Sequence, residues 1–424
     1  MIQIDEKFLS NAHFEAEMAR VTDIARLAEH PHDRYAVCFA ETADWLSLFF
    51  AIRSVGASVL PIHPGTPYAA ARRLADKAGC NRLFYNSLEA ELLPHAAPEN
   101  RGVLLQMSSG TTGDPKCIAR SWSDIDSEVD SYVGSFHAPQ DMTPVIACPT
   151  THSYGLICGI LVALKRGKTP VILDTGNPKY LLRKLREFDR PLLLSSPALL
   201  HTLARLLPQD EKIHATMTSG TLLPEPWFAK IRSKSTHMYQ QYGCSEAGCI
   251  AINPDVSGAN EIGHVLPHLK LDNPGNVNAP AEIVVAGRQG AIHTRDLGYS
   301  RADGMLVFIS RLDDMINVSG MNVYPKDVEA AVMAMPLVTD AVAFRKSDPF
   351  AGERVALLFS ASAPVSKQEM RDWCGGNLAS HQIPMEVVQV DTVARQANGK
   401  ISRREIAAQY ESGAFHPASR EAAQ

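Results

Sequence analysis

Cysteine pairs, a surplus of positive charge and long apolar runs are all missing from this chain. Its 8 cysteines show no CxxC pair and no metal-type spacing, which argues against a disulfide framework or zinc site and for buried thiols in a reduced compartment. Lysine plus arginine (41) fall short of aspartate plus glutamate (46), giving a formal net charge of -5. The densest basic clusters, Arg183-Lys184-Leu185-Arg186 and Arg403-Arg404, are short and read as solvated helix faces, so no nucleic-acid surface is expected. The most apolar stretch, Leu46 to Pro61, is broken by Arg53 and Gly56 and is too short to cross a bilayer. The first residues, Met1-Ile2-Gln3-Ile4-Asp5-Glu6-Lys7, lack a basic region followed by an apolar run. A cytoplasmic protein with no membrane partner is the expectation. Internal repeats and low-complexity tracts are absent as well.

What is present is an ordinary globular composition, 45% apolar and 21% charged over 424 residues. That length exceeds the roughly 250 to 300 residues at which single cores stop growing, so more than one domain is expected. Residues 34–40 and 57–62 read as buried strands around a helix over 42–55, whose apolar residues Trp45, Leu46, Phe49 and Ile52 recur at helical spacing before Gly56. Further strands are expected at 102–107, 144–148, 169–173, 191–195 and 213–218, with helices at 180–188 and 198–207 between them. This alternation predicts parallel sheets covered on both faces. From 258 to 310 short pieces at 281–285, 290–294 and 305–309 lie between Gly, Pro and Asn turns and predict a small antiparallel sheet. Strands at 341–345 and 354–360 and helices at 325–334 and 367–375 form a last unit. The expected fold is α/β: a large N-terminal domain, residues 1–310, of parallel sheets flanked by helices with a small antiparallel β subdomain, then a small mobile α+β C-terminal domain, residues 311–424.

The chemistry starts at Ser108-Ser109-Gly110-Thr111-Thr112-Gly113-Asp114-Pro115-Lys116, just after the apolar run Val103-Leu104-Leu105-Gln106-Met107. Glycines let backbone N–H groups approach an anion closely and hydroxyls add donors, which suits a phosphate. The spacing differs from the Gly-Lys-Ser/Thr of the common ATPase loop, because Lys116 lies behind Asp114-Pro115.

This nonapeptide resembles the phosphate loop of the adenylate-forming superfamily, which includes acyl- and aryl-CoA synthetases, stand-alone adenylation domains and luciferases. Four more stretches match in the family's order: Tyr242-Gly243-Cys244-Ser245-Glu246, Thr294-Arg295-Asp296, Ser310-Arg311-Leu312-Asp313-Asp314 with Val318-Ser319-Gly320, and Asn398-Gly399-Lys400-Ile401. The resemblance spans nearly the whole chain. It implies activation of a carboxylic acid by ATP to an acyl-adenylate with release of pyrophosphate, then transfer to a thiol as a thioester.

The residue types fit that chemistry. ATP and a carboxylate are both anionic, so the site must neutralise charge and align the acid with the α-phosphorus. By resemblance Lys400 bridges the acid and the α-phosphate. Glu246 holds Mg²⁺, a hard cation that prefers carboxylate oxygen and water, and Ser245 offers the phosphate a hydroxyl where the family usually has Thr. Asp296 accepts from the ribose hydroxyls, Arg311 reaches the ribose, and Tyr242 with Gly243 lies near the adenine. Arg295 departs from the small Gly often found before that Asp, and either crowds the loop or points to solvent. Asp313 marks the hinge of the C-terminal domain, which carries Lys400, and Val318-Ser319-Gly320 approaches the thiol tunnel.

Substrate selection rests on Pro149-Thr150-Thr151-His152-Ser153-Tyr154-Gly155-Leu156, which is closer to the His-Asn-Tyr form of aryl-acid activators than to the Phe-Asp form of amino-acid activators. No Asp is present there to pair with an ammonium group. An aryl acid such as a hydroxybenzoate is therefore expected, with Ser153 against a ring hydroxyl, His152 and Tyr154 at the pocket edge, and Ser219-Gly220-Thr221 as its wall. A short or medium acyl chain is the alternative acid, and adenylation alone or mere binding of an acyl-adenylate the alternative activity. CoA and the phosphopantetheine arm of a carrier protein both remain as acceptors. The intervals before Ser108 and between Glu246 and Asp296 are short for the family, so peripheral contacts to a CoA nucleotide are the ones reduced. Oligomeric state stays open, a homodimer being one option.

Overall fold

The structure is a computed structural model that describes residues 1–97, 102–220, 223–288, 290–348, 352–396 and 401–415, without 109–115 and without the side chain of Ser108. Three sheets carry the described residues. One has six strands, in which Arg34–Cys38, Ser58–Pro61, Arg82–Tyr85 and Val103–Ser108 run parallel, with Glu91–Leu92 and Lys116–Ser121 as antiparallel edges. The largest orders Ser235–Cys244, Ile213–Thr218, Pro191–Ser195, Thr143–Ala147, Val171–Ile172 and Ile2–Ile4 in parallel. It continues without a break through Gly248–Asn253, Glu261–Val265, Leu306–Arg311, Gly290–Ser300 and Ala281–Gly287, all antiparallel. The expected antiparallel sheet is thus the far end of the parallel one.

Two apolar faces explain this layering. Val37, Val59 and Leu104 of the six-stranded sheet share one core with Ile146, Leu194, Met217 and Tyr239 of the large sheet. Helix Thr42–Ser54 is apolar on nearly every side because it fills the space between them, with Trp45, Leu46, Leu48, Phe49 and Ile52 all buried. Helix Trp122–Ser135 joins it there, started by Ser121, whose hydroxyl accepts the Asp124 N–H at 3.1 Å. Helices Pro178–Leu185 and Pro197–Leu206, each opened by Pro behind an Asn177 or Ser196 cap, cover the other face of the large sheet.

The smaller C-terminal domain pairs Val338–Asp348 with Gly352–Ala361 antiparallel and adds Glu386–Gln389 in parallel. Helices Pro325–Met333 and Lys367–Asn377 pack on one face and Arg403–Glu411 on the other. Ser366 and Glu369 close a reciprocal cap on Lys367–Asn377. The α/β class and the large-then-small arrangement agree with the expectation.

Candidate active site

Parallel strands leave their chemistry at their carboxyl ends, where loops must turn out of the sheet. Four of the sequence motifs fall there. Val103–Ser108 runs into 109–115, Thr143–Ala147 into the His152 segment, Ile213–Thr218 into Ser219-Gly220, and Ser235–Cys244 into Ser245-Glu246. Neighbouring register brings them side by side: Thr218 pairs with Gln240, two residues before Tyr242, and Ser153 reaches across to Gln106 on the other sheet at 2.7 Å.

Tyr242 donates its hydroxyl proton to Asp296 Oδ2 at 2.6 Å. Burial, then the Asp296 charge, push that phenol well above its ordinary value, so it stays a donor. Asp296 is 6% exposed, and its own N–H donates to Thr294 Oγ1 at 3.2 Å. Arg311 Nε lies 3.5 Å from Asp296 Oδ1, and its terminal nitrogen 3.8 Å from Asp313 Oδ2. Arg295 is exposed, with its side chain directed to solvent, and holds φ +61°. This left-handed backbone accounts for the glycine expected there. The Glu282 carboxylate steadies the turn by accepting the Arg295 N–H at 2.9 Å.

The Tyr242–Glu246 turn rests on buried charge. A Cβ on Gly243 would collide with the Gly248 carbonyl, and one on Gly248, at φ +75°, with Glu128 and Arg120. Arg120 and Glu128 form an ion pair with 4% and 0% exposure. Glu128 Oε1 also accepts the Cys249 N–H at 2.7 Å. Ser245 is half-buried and Glu246 exposed at the tip of the turn.

In the His152 segment, Gly155 lets the chain fold back onto Pro149, whose carbonyl a Cβ would strike, and Tyr154–Leu161 winds as a π-helix. Tyr154 donates to the Met217 carbonyl at 2.6 Å, near the end of the strand that leads to Ser219-Gly220. Gly220 has φ +93°. His152 is half-buried, its N–H bonded to the Pro149 carbonyl at 3.2 Å.

Beyond Arg311, Asp313 offers its carbonyl to Arg345 at 3.2 Å. Arg403 grips Asp314 at 2.8 Å and Glu329 at 2.7 Å. Ser319 (φ +52°) and Gly320 (φ +86°) make the two-residue turn between Ile316–Val318 and Met321–Val323, both left-handed as such hairpins need. Val318 is buried among apolar side chains, and the exposed part of this motif is the turn itself.

A model of AMP-binding enzymes matches residues 87–293, and a model of their C-terminal domain matches 327–400. A 3,4-dihydroxybenzoate–[aryl-carrier protein] ligase of Bacillus anthracis is 36% identical over 409 residues, covering 95% of this chain and 98% of that protein. The chain belongs to the AMP-binding enzymes. These are ATP-dependent acid–thiol ligases that work through an acyl-adenylate. A 2-succinylbenzoate–CoA ligase of Bacillus subtilis is 26% identical over 332 residues, 71% of this chain and 68% of that protein. Among solved structures, ATP-bound MatB from Rhodopseudomonas palustris superposes with a TM-score of 0.81 at 19% identity, over 97% of this chain and 96% of that one. At that identity the likeness concerns the fold.

AMP-binding enzymes use ATP with Mg²⁺, and the donor set here suits both. The Asp296 carboxylate and the Arg311 guanidinium stand 3.5 Å apart, an acceptor and a donor of the kind that bind a sugar diol. Among the described residues no three His, Cys, Asp or Glu cluster as a metal cage. The lone Glu246 carboxylate fits Mg²⁺ arriving with the nucleotide, since Mg²⁺ is commonly held by one or two carboxylates and phosphate oxygens. Lys116 is exposed at the head of strand Lys116–Ser121. Ser109, Gly110, Thr111, Thr112, Gly113, Thr221 and Lys400 lie outside the described residues, as does the side chain of Ser108.

Two site residues escaped the sequence reading. Gln106 is the one polar side chain in the apolar run that leads into the loop, and that interruption was a usable signal. Glu128 carries none, because a Glu in an amphipathic helix normally faces water.

Proposed function

We propose that this protein activates a hydroxybenzoate at the expense of ATP and transfers the aryl group to the phosphopantetheine thiol of an aryl carrier protein. The observation that carries this reading is the end-to-end likeness to the aryl-carrier protein ligase, 98% of which is matched, where the CoA ligase of Bacillus subtilis is matched over 68%. The acid segment agrees: Ser153 is a polar contact at the pocket edge, and no carboxylate stands between Pro149 and Leu156 to hold an α-ammonium group.

In this reading Asp296, Arg311 and Tyr242 hold the nucleoside, 108–116 and Ser245 the phosphates, and Glu246 the Mg²⁺. Lys400 neutralises charge between the acid and the α-phosphate. A carboxylate oxygen attacks the α-phosphorus, pyrophosphate leaves, and the thiol sulfur then displaces AMP from the acyl carbon. Asp313 serves as the pivot between residues 1–310 and 311–424, with Asp314 and Arg403 anchoring its C-terminal side.

Intact-protein mass spectrometry tests the acceptor. Incubation with ATP, Mg²⁺, 3,4-dihydroxybenzoate and a phosphopantetheinylated aryl carrier protein should add one dihydroxybenzoyl group to the carrier. Formation of aryl-CoA at a rate equal to or above carrier loading would reject the carrier protein as the acceptor.

A further inference from the structure

Strand alternation places Gln106 on the same face as Leu104, the face that packs toward the large sheet. Leu105 and Met107 point the other way, into the core under helix Tyr68–Lys77. Gln106 therefore sits between the two sheets at their carboxyl ends. Its Oε1 accepts the Ser153 hydroxyl proton at 2.7 Å.

A serine hydroxyl has one proton and two lone pairs. With the proton given to Gln106, Ser153 presents only lone pairs to anything else. The next residue behaves alike: Tyr154 gives its proton to the Met217 carbonyl at 2.6 Å, and burial pushes its phenol well above the ordinary value. Neither hydroxyl has a proton left for a substrate.

We infer that Gln106 sets the hydrogen-bond polarity of the acid pocket, making Ser153 an acceptor that selects aryl acids whose ring substituent carries a proton. Gln106 is thus a positioning residue for specificity, and the inference rests on the hydroxybenzoate reading given above. A free ring hydroxyl donates to Ser153 Oγ. A fluorine of nearly the same size sets lone pairs against lone pairs and leaves the site unsatisfied, the situation in which a polar pocket rejects an analogue.

The test compares kcat/KM in pyrophosphate exchange for benzoates carrying hydroxyl, fluorine or hydrogen at the 3- and 4-positions. The wild-type enzyme is expected to prefer hydroxyl over fluorine about tenfold or more at one position, from the usual cost of an unmade buried hydrogen bond. Gln106→Leu frees Ser153 to turn and donate, and should cut that preference to about threefold or less. Gln106→Glu can only accept, so it should keep the preference even if overall rates fall. Ser153→Ala should lose it, which covers the case of a Gln106→Leu protein that does not fold. Equal use of hydroxyl and fluorine by a wild-type enzyme that activates aryl acids would overturn the inference and leave the function standing. Retention of the preference in Gln106→Leu, or its reversal in Gln106→Glu, would overturn it as well. Failure of every aryl acid would instead remove the function on which it rests.

Discussion

Replacing Glu128 by Ala should cost this protein more than any other single change near the site. Glu128 is wholly buried, pairs with Arg120 and accepts the Cys249 N–H. Its removal leaves the Arg120 guanidinium, 4% exposed, without its counter-charge, and Nη1 of that group already has no hydrogen-bond partner among the described residues. Breaking a buried pair in this way costs about 3–5 kcal/mol. At about 2–4 °C per kcal/mol for domains of 150–250 residues, melting should fall by at least roughly 6 °C. Substituting both partners, Arg120→Met with Glu128→Leu, removes both charges and should recover at least half of the loss, since apolar replacements of buried pairs are often close to neutral. Circular-dichroism melts of Arg120→Met, Glu128→Leu and the double variant that combines them form the cycle. A Glu128→Ala midpoint within about 2 °C of wild type, or strictly additive losses in the double variant, would refute the idea that this pair holds up the Tyr242–Glu246 turn.

Tyr242→Phe removes the donor to Asp296 Oδ2 and should raise the KM for ATP about tenfold; steady-state kinetics at saturating acid give the answer, and an unaltered KM would count against that contact. Lys400→Ala should abolish acid-dependent pyrophosphate exchange yet still let a supplied aryl-adenylate react with thiol, and loss of both steps in a folded variant would contradict its assigned part. Stability should also respond to acid. Burial, then Arg205, Lys230 and Arg395, hold His201 down to about 4, and burial, then Arg120, hold His268 down to about 4, both from an ordinary 6.5. The unfolded chain takes up these protons first, so their contribution is complete above pH 6.5 and is lost as pH falls toward 4. Urea unfolding at pH 7 and pH 5 should differ less in a His201→Gln/His268→Gln variant than in wild type, and an equal difference would refute the assignment.

What the sequence made legible follows from how local the physics is. The stretches 108–116, Thr294-Arg295-Asp296 and Asn398-Gly399-Lys400 each concentrate their signal in a few consecutive residues, so composition and order sufficed to recognise the family. Helix Thr42–Ser54 and strand Pro191–Ser195 were equally plain because burial on both sides leaves their central residues apolar. Strand Ser235–Cys244 was not read, since Gln240 and Gln241 interrupt its apolar pattern; both are buried, and Gln241 accepts the Tyr132 hydroxyl at 3.0 Å, 109 positions away. The three-residue strand Ile2–Ile4 is too short for a periodic signal and exists because Val171–Ile172 offers it an edge. Arg295 shows the same limit from the other side. The residue type departed visibly from the family, but only the backbone, with φ +61° at an exposed position, shows why a glycine suits that place.

Acid-dependent exchange of pyrophosphate into ATP tests the proposed activity most directly. With Mg²⁺ and 3,4-dihydroxybenzoate the protein should exchange label far faster than with benzoate, a fatty acid or any amino acid. Exchange driven by a fatty acid or an amino acid in preference to every hydroxybenzoate would contradict it.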